Sequence, residues 1–389
     1  MDYHLSESSW GDEEIQAIHE VIAGNRFTMG EKVLAFENAF AAHFGMRHAV
    51  MVNSGSSANL VAVAALFYKK DRPLQRGDEV IVPAISWSTT FYPLQQYGLR
   101  LRFVDVELDT LNMDVSRLEE ALTPATRMVV GVSILGNPAA LDTMRDFCDR
   151  HGLYFLEDNC ESMGAELNGQ RCGTFGDLTT HSLFFSHHIA TMEGGVIMTN
   201  DDELWQLCLS LRNHGWTRGL PEDSTIFEKR QDDFFEAYRF ILPGYNVRPL
   251  ELSGAIGLPQ LAKLDGMVAA RRANGQFFQQ LFQGDSRFIL QRENGKSSWF
   301  SFTVILNPEA NLDRRRILTG LKEAGVEFRI ITGGNFLQHD VIKYFDYTTV
   351  GPVVNAPIAH NNGFFVGNYP RDACREIAHF HRTISELAG

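Results

Sequence analysis

Between about Glu37 and Asn200 the chain alternates short, almost wholly apolar runs with stretches of helical periodicity. The runs HAVMVN, DEVIVPA, LRFVDV, RMVVGVSI, LYFLED, HSLFFS and GGVIMT have the length and composition of strands, and amphipathic segments such as SANLVAVAALFYKK and AALDTMRDFCDRHG lie between them. Strands that are apolar at consecutive positions need cover on both faces, which a parallel sheet flanked by helices supplies. The pattern predicts a large α/β domain over residues 1–250 with a mostly parallel, seven-stranded sheet. A long helical pattern from Leu250 to Leu281 leads away from it. Strands in SSWFSFTVIL and EFRIIT and helices in DRRRILTGLKEAG and CREIAHFHRTISEL then predict a smaller C-terminal α+β domain over residues 251–389. No repeat or low-complexity linker separates the two, so ligand sites are expected where they meet.

A net charge of −13 argues against nucleic acid or an anionic membrane surface as the main partner, because both reward clustered Lys and Arg. No run reaches the roughly 18 apolar residues of a membrane span, and the start, MDYHLSESSWGDEE, has no basic stretch leading into an apolar one. A cytoplasmic protein is expected. Cys148, Cys160, Cys172, Cys208 and Cys374 lack the paired spacing of a zinc or iron–sulfur site, so no metal is expected.

Three segments carry chemistry. In VNSGSSANLVAVAAL a strand is expected to end at Asn53 and a helix to begin near Ser57, across a Ser/Gly loop. Free N–H groups and the helix dipole at such a start suit a phosphate, although Ser and Gly there also make an ordinary helix cap. In LYFLEDNCESMGA an apolar strand ends in Glu157, Asp158 and Asn159, which puts carboxylates at the ligand-binding edge of a parallel sheet. Asp158 could equally cap the next helix. The third segment is HSLFFSHHIATMEGG.

Together with PGYNVRPLELSGAIGLPQL, these segments resemble the sugar-nucleotide aminotransferase family of fold-type-I pyridoxal enzymes, which has the aspartate-aminotransferase-like fold. Members of that family usually carry S-F-x-x-x-K, a short run, and then E-G-G, the lysine tying the cofactor covalently. Counted from Ser182, or back from Glu193-Gly194-Gly195, the lysine position falls on His187. His188 is one place too late and, by strand alternation, is expected to face away. Between Lys70 and Lys229 there is no lysine at all. The chain resembles, over essentially its full length, a lysine-lacking branch of the family that dehydrates nucleotide-linked 4-keto sugars.

The resemblance implies pyridoxal 5'-phosphate or pyridoxamine 5'-phosphate as cofactor, with Gly55, Ser56 and Ser182 at its phosphate and Trp87 stacked on its ring. Asp158 is then at the ring nitrogen and Glu161 near the ring hydroxyl, where aminotransferase relatives commonly have Gln. Asn246 is expected to reach the phosphate from a neighbouring subunit, with Arg248 doing likewise for the nucleotide, which makes a homodimer part of the site. His214 and Arg218 look suited to a second substrate, L-glutamate, since a guanidinium suits a carboxylate or diphosphate. Asn25, Arg26, Phe27 and Thr28 resemble the loop over the sugar nucleotide. His187 is the expected catalytic residue, because an imidazole takes and returns protons near neutral pH yet forms no stable imine. The implied reaction is loss of the C3 hydroxyl from a 4-keto-6-deoxy sugar, GDP-linked by preference, for deoxysugar synthesis of the colitose type in O-antigen. A 4-aminotransferase and a catalytically silent sugar-nucleotide-binding protein remain as alternatives at this point.

Overall fold

The computed structural model describes residues 2–389. The seven expected strands form, in chain order, as β1 (His48–Val52), β2 (Glu79–Pro83), β3 (Arg100–Val104), β4 (Thr126–Val132), β5 (Tyr154–Asp158), β6 (Leu178–Ser182) and β7 (Gly195–Thr199). The C-terminal half adds β8 (Phe288–Leu290), β9 (Ser301–Leu306), β10 (Phe328–Arg329), β11 (Tyr347–Thr349) and β12 (Gly363–Gly367).

The large sheet has the order β1-β7-β6-β5-β4-β2-β3-β11, and β7 runs antiparallel to both of its neighbours while the remaining pairs are parallel. It therefore has eight strands rather than seven. The extra one, β11, is short and exposed and reads YTT, too polar to register as a buried strand, and it comes from the second half of the chain. The expected cover on both faces is seen residue by residue: Val80 and Val82 enter one core and Ile81 the other, as do Met128 and Val130 against Val129.

A second, antiparallel sheet, β8-β9-β12-β10, packs with the helix Cys374–Ala388 and the end of the 31-residue helix Glu251–Leu281. That long helix crosses the helix Glu31–Phe44 closely. A Cβ on Gly254 would lie 2.6 Å from the backbone of Val33, and one on Gly257 would lie 2.6 Å from the Phe36 ring. The two halves also exchange segments, because Tyr3 pairs with Val326 and is fully buried among the C-terminal aromatics. Among the described residues no helix is long and apolar enough to cross a membrane.

Candidate active site

The C-terminal ends of β2, β4 and β5 open onto a cavity of about 640 Å³ between the two halves of the molecule. Its floor is set by β5, which ends at Asp158. That side chain is buried, and its Oδ2 accepts from Asn59 Nδ2 at 2.9 Å and from Thr90 Oγ1 at 2.8 Å. The Cys160 N–H reaches Oδ1 at 3.2 Å. Two fixed donors on one oxygen hold the carboxylate in place and leave it acceptor capacity for a cationic ring N–H.

One wall is the start of the helix Gly55–Phe67. Ser54 caps it, accepting from the Ser57 N–H at 3.1 Å. The N–H groups of Gly55 and Ser56 head the helix, where no intrahelical partner exists, so this wall suits an anion. A side chain at position 55 has no room, since its Cβ would lie 2.7 Å from that of Ser182 and 3.1 Å from Cys160 Sγ. The Glu-Gly-Gly motif has a related reason. A Cβ on Gly195 would sit 2.2 Å from the Ser54 carbonyl oxygen, so glycine lets β7 start against the same loop. Ser56 Oγ donates to Thr89 Oγ1 at 2.8 Å, which ties the helix start to the segment bearing Trp87. Trp87 lines the cavity with 57% of its surface exposed, so an indole face is available for stacking.

Glu161 also lines the cavity, accepting from the Leu135 N–H at 2.9 Å and Thr332 Oγ1 at 3.2 Å. Burial, with Asp158 nearby, raises its pKa to about 7 in spite of those bonds. It therefore carries a proton much of the time at neutral pH and can then donate as a glutamine would.

His187 faces this chamber from a loop, not a strand. The segment HSLFFS was expected to be extended through Ser186, but β6 starts earlier, at Leu178, and stops at Ser182; residues 183–190 turn. Strand alternation therefore does not govern His187 and His188, and their sidedness comes from the turn. His187 lines the cavity, its ring edge-on to Phe300 at 5.1 Å between centroids, while His188 is buried with Nε2 3.3 Å from the Ser298 carbonyl. His187 Nδ1 is buried without a hydrogen-bond partner. Burial, reinforced by the Arg271 guanidinium, pushes the imidazole pKa down to about 4, so it is neutral at physiological pH.

Of the eight residues expected to act on or hold the cofactor, seven, Gly55, Ser56, Trp87, Asp158, Glu161, Ser182 and His187, line this one cavity, and Asn246, expected from a neighbouring subunit, does not. Nor do the rest. Asn25, Arg26, Phe27, Thr28, His214, Arg218 and Asn246 are exposed and Arg248 is half-buried, and none of them borders the cavity of its own chain. Thr28 bridges Leu250 and the Glu251 N–H bonds the Phe27 carbonyl, while the His214 N–H bonds the Tyr245 carbonyl beside Asn246, whose Oδ1 accepts from Arg248 Nε at 3.0 Å. Arg218 stacks on Trp216, 5.2 Å from the ring centroid.

Sequence reading did not single out Asn59 and Thr90, which fix Asp158, or Phe300, Glu327, Arg329 and Thr332, which come from the C-terminal half to complete the wall. Asn59 had a local signal, lying one helical turn after Gly55. The C-terminal four had none, because only tertiary packing brings them here.

A pyridoxal-type cofactor fits these residues. The helix start offers a phosphate seat, Asp158 a carboxylate for a ring nitrogen, Trp87 a stacking face, and His187 an unpartnered buried nitrogen. No lysine is among the cavity-lining residues described.

The fold and this donor set define a class: the chain belongs to the DegT/DnrJ/EryC1/StrS aminotransferase family, which it matches over residues 8–371. Within it, the chain is 49% identical to the GDP-4-keto-6-deoxy-D-mannose 3-dehydratase of Yersinia pseudotuberculosis, over 97% of this chain and 96% of that one. It is also similar to a solved GDP-4-keto-6-deoxymannose-3-dehydratase with a trapped PLP–glutamate geminal diamine, with 48% identity, a TM-score of 0.97, and 98% of this chain and 100% of that one covered. The structure of a ColD variant in which a serine and the histidine after it are replaced by asparagine and lysine aligns with a TM-score of 0.95 and 47% identity, over 97% of this chain and 100% of that one.

Proposed function

We propose that this chain is a pyridoxamine phosphate-dependent 3-dehydratase of GDP-4-keto-6-deoxy-D-mannose, with L-glutamate restoring the amine form of the cofactor. The observation that carries this reading is His187, an imidazole in the cavity at the position where the family's tethering lysine is expected. Similarity to GDP-4-keto-6-deoxy-D-mannose 3-dehydratases supports the sugar and the reaction, and the PLP–glutamate adduct in one of them supports the cofactor and the amino donor. The variant ColD structure supports the choice of histidine: its paired substitution changes a Ser-His dipeptide, and Ser186-His187 is the one Ser-His dipeptide in this chain.

When bound, the cofactor supplies an amine that condenses with the C4 ketone and a ring that takes up electrons. Its phosphate would be held by the helix start at Gly55 and Ser56 and by Ser182, its ring face by Trp87, its ring nitrogen by Asp158 and its hydroxyl by Glu161. His187, neutral and with a free nitrogen, takes a proton from the carbon that bears the cofactor amine. The same imidazole, now protonated and a strong acid because its surroundings disfavour the charge, returns a proton to the departing C3 hydroxyl. With no lysine among the cavity-lining residues described, the chain has no amine to capture the product, and release by hydrolysis would give the 3-deoxy-4-keto sugar and ammonia and leave the cofactor as the aldehyde, for glutamate to return to the amine form.

In this reading residues 1–250 form the cofactor domain and 251–389 the domain that closes over it. The exposed group Asn25–Thr28, His214, Arg218, Asn246 and Arg248 completes the site of a second copy in a homodimer: phosphate and nucleotide contacts from Asn246 and Arg248, a carboxylate contact for glutamate from His214 and Arg218. The product suits deoxysugar synthesis of the colitose type for O-antigen, in the cytoplasm, a compartment with which five unpaired cysteines agree.

The test is incubation of the cofactor-loaded protein with glutamate and GDP-4-keto-6-deoxy-D-mannose, followed by mass analysis of the sugar. Loss of one oxygen with the keto group retained is expected. A product that carries nitrogen in place of the ketone oxygen would mark an aminotransferase, and an unchanged sugar would mark a binding protein.

A further inference from the structure

Glu327 and Arg329 reach the cavity from the C-terminal half and take no part in the chemistry above. They flank Phe328, whose ring packs on Phe364, 6.0 Å between centroids, in the core of the small sheet. Side chains alternate along an extended segment, so Glu327 and Arg329 share the opposite, cavity-facing side, about 6.6 Å apart along the chain. Glu327 is half-exposed, and the N-terminal segment holds it in place: Oε2 accepts from the Leu5 N–H at 3.0 Å, and Oε1 lies 3.3 Å from His4 Nδ1. The Leu5 N–H also keeps the carboxyl below the usual range, so it stays an acceptor at neutral pH. Arg329 donates to the neighbouring Phe328 carbonyl and has no carboxylate within ion-pair distance among the described residues, which leaves donors free.

A carboxylate, which can accept from two adjacent donors, beside a donor fork suits guanine, whereas cytosine brings only its N4 amine as a base-edge donor. Guanine presents two adjacent donors, N1–H and the N2 amine, next to two acceptors, O6 and N7. Adenine would set its N1 acceptor against the carboxylate and its N6 amine against the guanidinium. Uracil and thymine offer one N–H between two carbonyls. We propose that Glu327 and Arg329 are the residues that read the base of the nucleotide-linked substrate, Glu327 accepting from guanine N1–H and N2–H and Arg329 donating to O6 and N7. The proposal rests on the reading of this cavity as a nucleotide-sugar site and assigns the base within it.

Binding of plain nucleoside diphosphates to the cofactor-loaded protein tests this apart from the reaction, so dehydration can fail while base reading stands, or the reverse. For the wild type, calorimetry is expected to show GDP binding about tenfold or more tighter than inosine diphosphate, which lacks the N2 amine. Glu327→Gln keeps an oxygen for N1–H but turns a donor toward position 2. It is expected to lose the preference for GDP over inosine diphosphate and to favour xanthosine diphosphate, whose O2 accepts. Arg329→Met is expected to weaken GDP and xanthosine diphosphate alike, since both carry O6 and N7. Melting temperature and cofactor spectrum confirm that each variant is folded. Equal binding of GDP and inosine diphosphate by the wild type, or an unchanged base preference in folded Glu327→Gln, would overturn the assignment.

Discussion

At the scale of single residues, the site separates its titrating groups by burial. His187 is pushed down to about 4 and Glu161 up to about 7. At neutral pH the base is therefore free to accept a proton, and the carboxyl that lines the same cavity is half-loaded with one. The stability consequences have opposite signs. The folded pKa of Glu161, about 7, lies above its ordinary value of 4.5, so its contribution is complete below that value and is lost as pH rises through 7. His187 lies below its unfolded value of about 6.5, and its contribution is lost as pH falls from there toward 4. Glu161→Gln should therefore gain on the wild type in thermal melts as pH rises from 5 to 8, and a constant difference across that range would refute the raised pKa. Asp158 is a third case. Asp158→Asn retains the size of the side chain but not the charge that would hold a protonated ring nitrogen. Turnover should fall on the order of 10²–10³-fold, the usual cost of losing one fixed electrostatic partner of the reacting group, with secondary structure unchanged by circular dichroism.

At the scale of elements, what was legible followed from period and composition. Buried strands such as β2 and β5 announce themselves because covered strands are apolar at every position, and the helix Glu251–Leu281 has a helical pattern almost to its observed ends. The end of β6 was misplaced by four residues because Leu183, Phe184 and Phe185 continue an apolar run that the chain spends on a turn, where Phe184 and Phe185 border the cavity. Apolarity that serves a ligand looks the same in sequence as apolarity that serves a core. The cofactor wall was readable because SGSSAN and EDN are local motifs. Phe300 and Thr332 were not, since nothing near them in the chain marks them as neighbours of Asp158 and His187. One close element contact at the site is the helix start at Gly55 against Ser182. Gly55→Ala should destabilise the fold by about 1–3 kcal/mol through overpacking and weaken cofactor binding by displacing the phosphate seat. Cofactor titration of the variant with the wild-type dissociation constant would show that the wall does not seat the phosphate.

For the whole molecule, the proposed homodimer predicts that residues lining the cavity and residues exposed away from it act together across two subunits. A complementation experiment follows from it. His187→Lys and Arg218→Ala homodimers should each be inactive. Subunits mixed and allowed to exchange should recover part of the activity, because one site of each mixed dimer takes its His187 and its Arg218 from unaltered positions. No recovery despite demonstrated exchange would put both residues in one chain's site.

In the proposed mechanism an imidazole stands at the family's lysine position, so the cofactor is held without a covalent bond and the proton carrier is a ring nitrogen. The most direct measurement is intact mass after borohydride treatment of the cofactor-loaded wild type and of His187→Lys. The wild-type chain should keep its mass, while the variant should gain that of one reduced cofactor and cease to dehydrate the sugar. A cofactor fixed to the wild-type chain, or dehydration by His187→Lys at the native rate, would contradict the account.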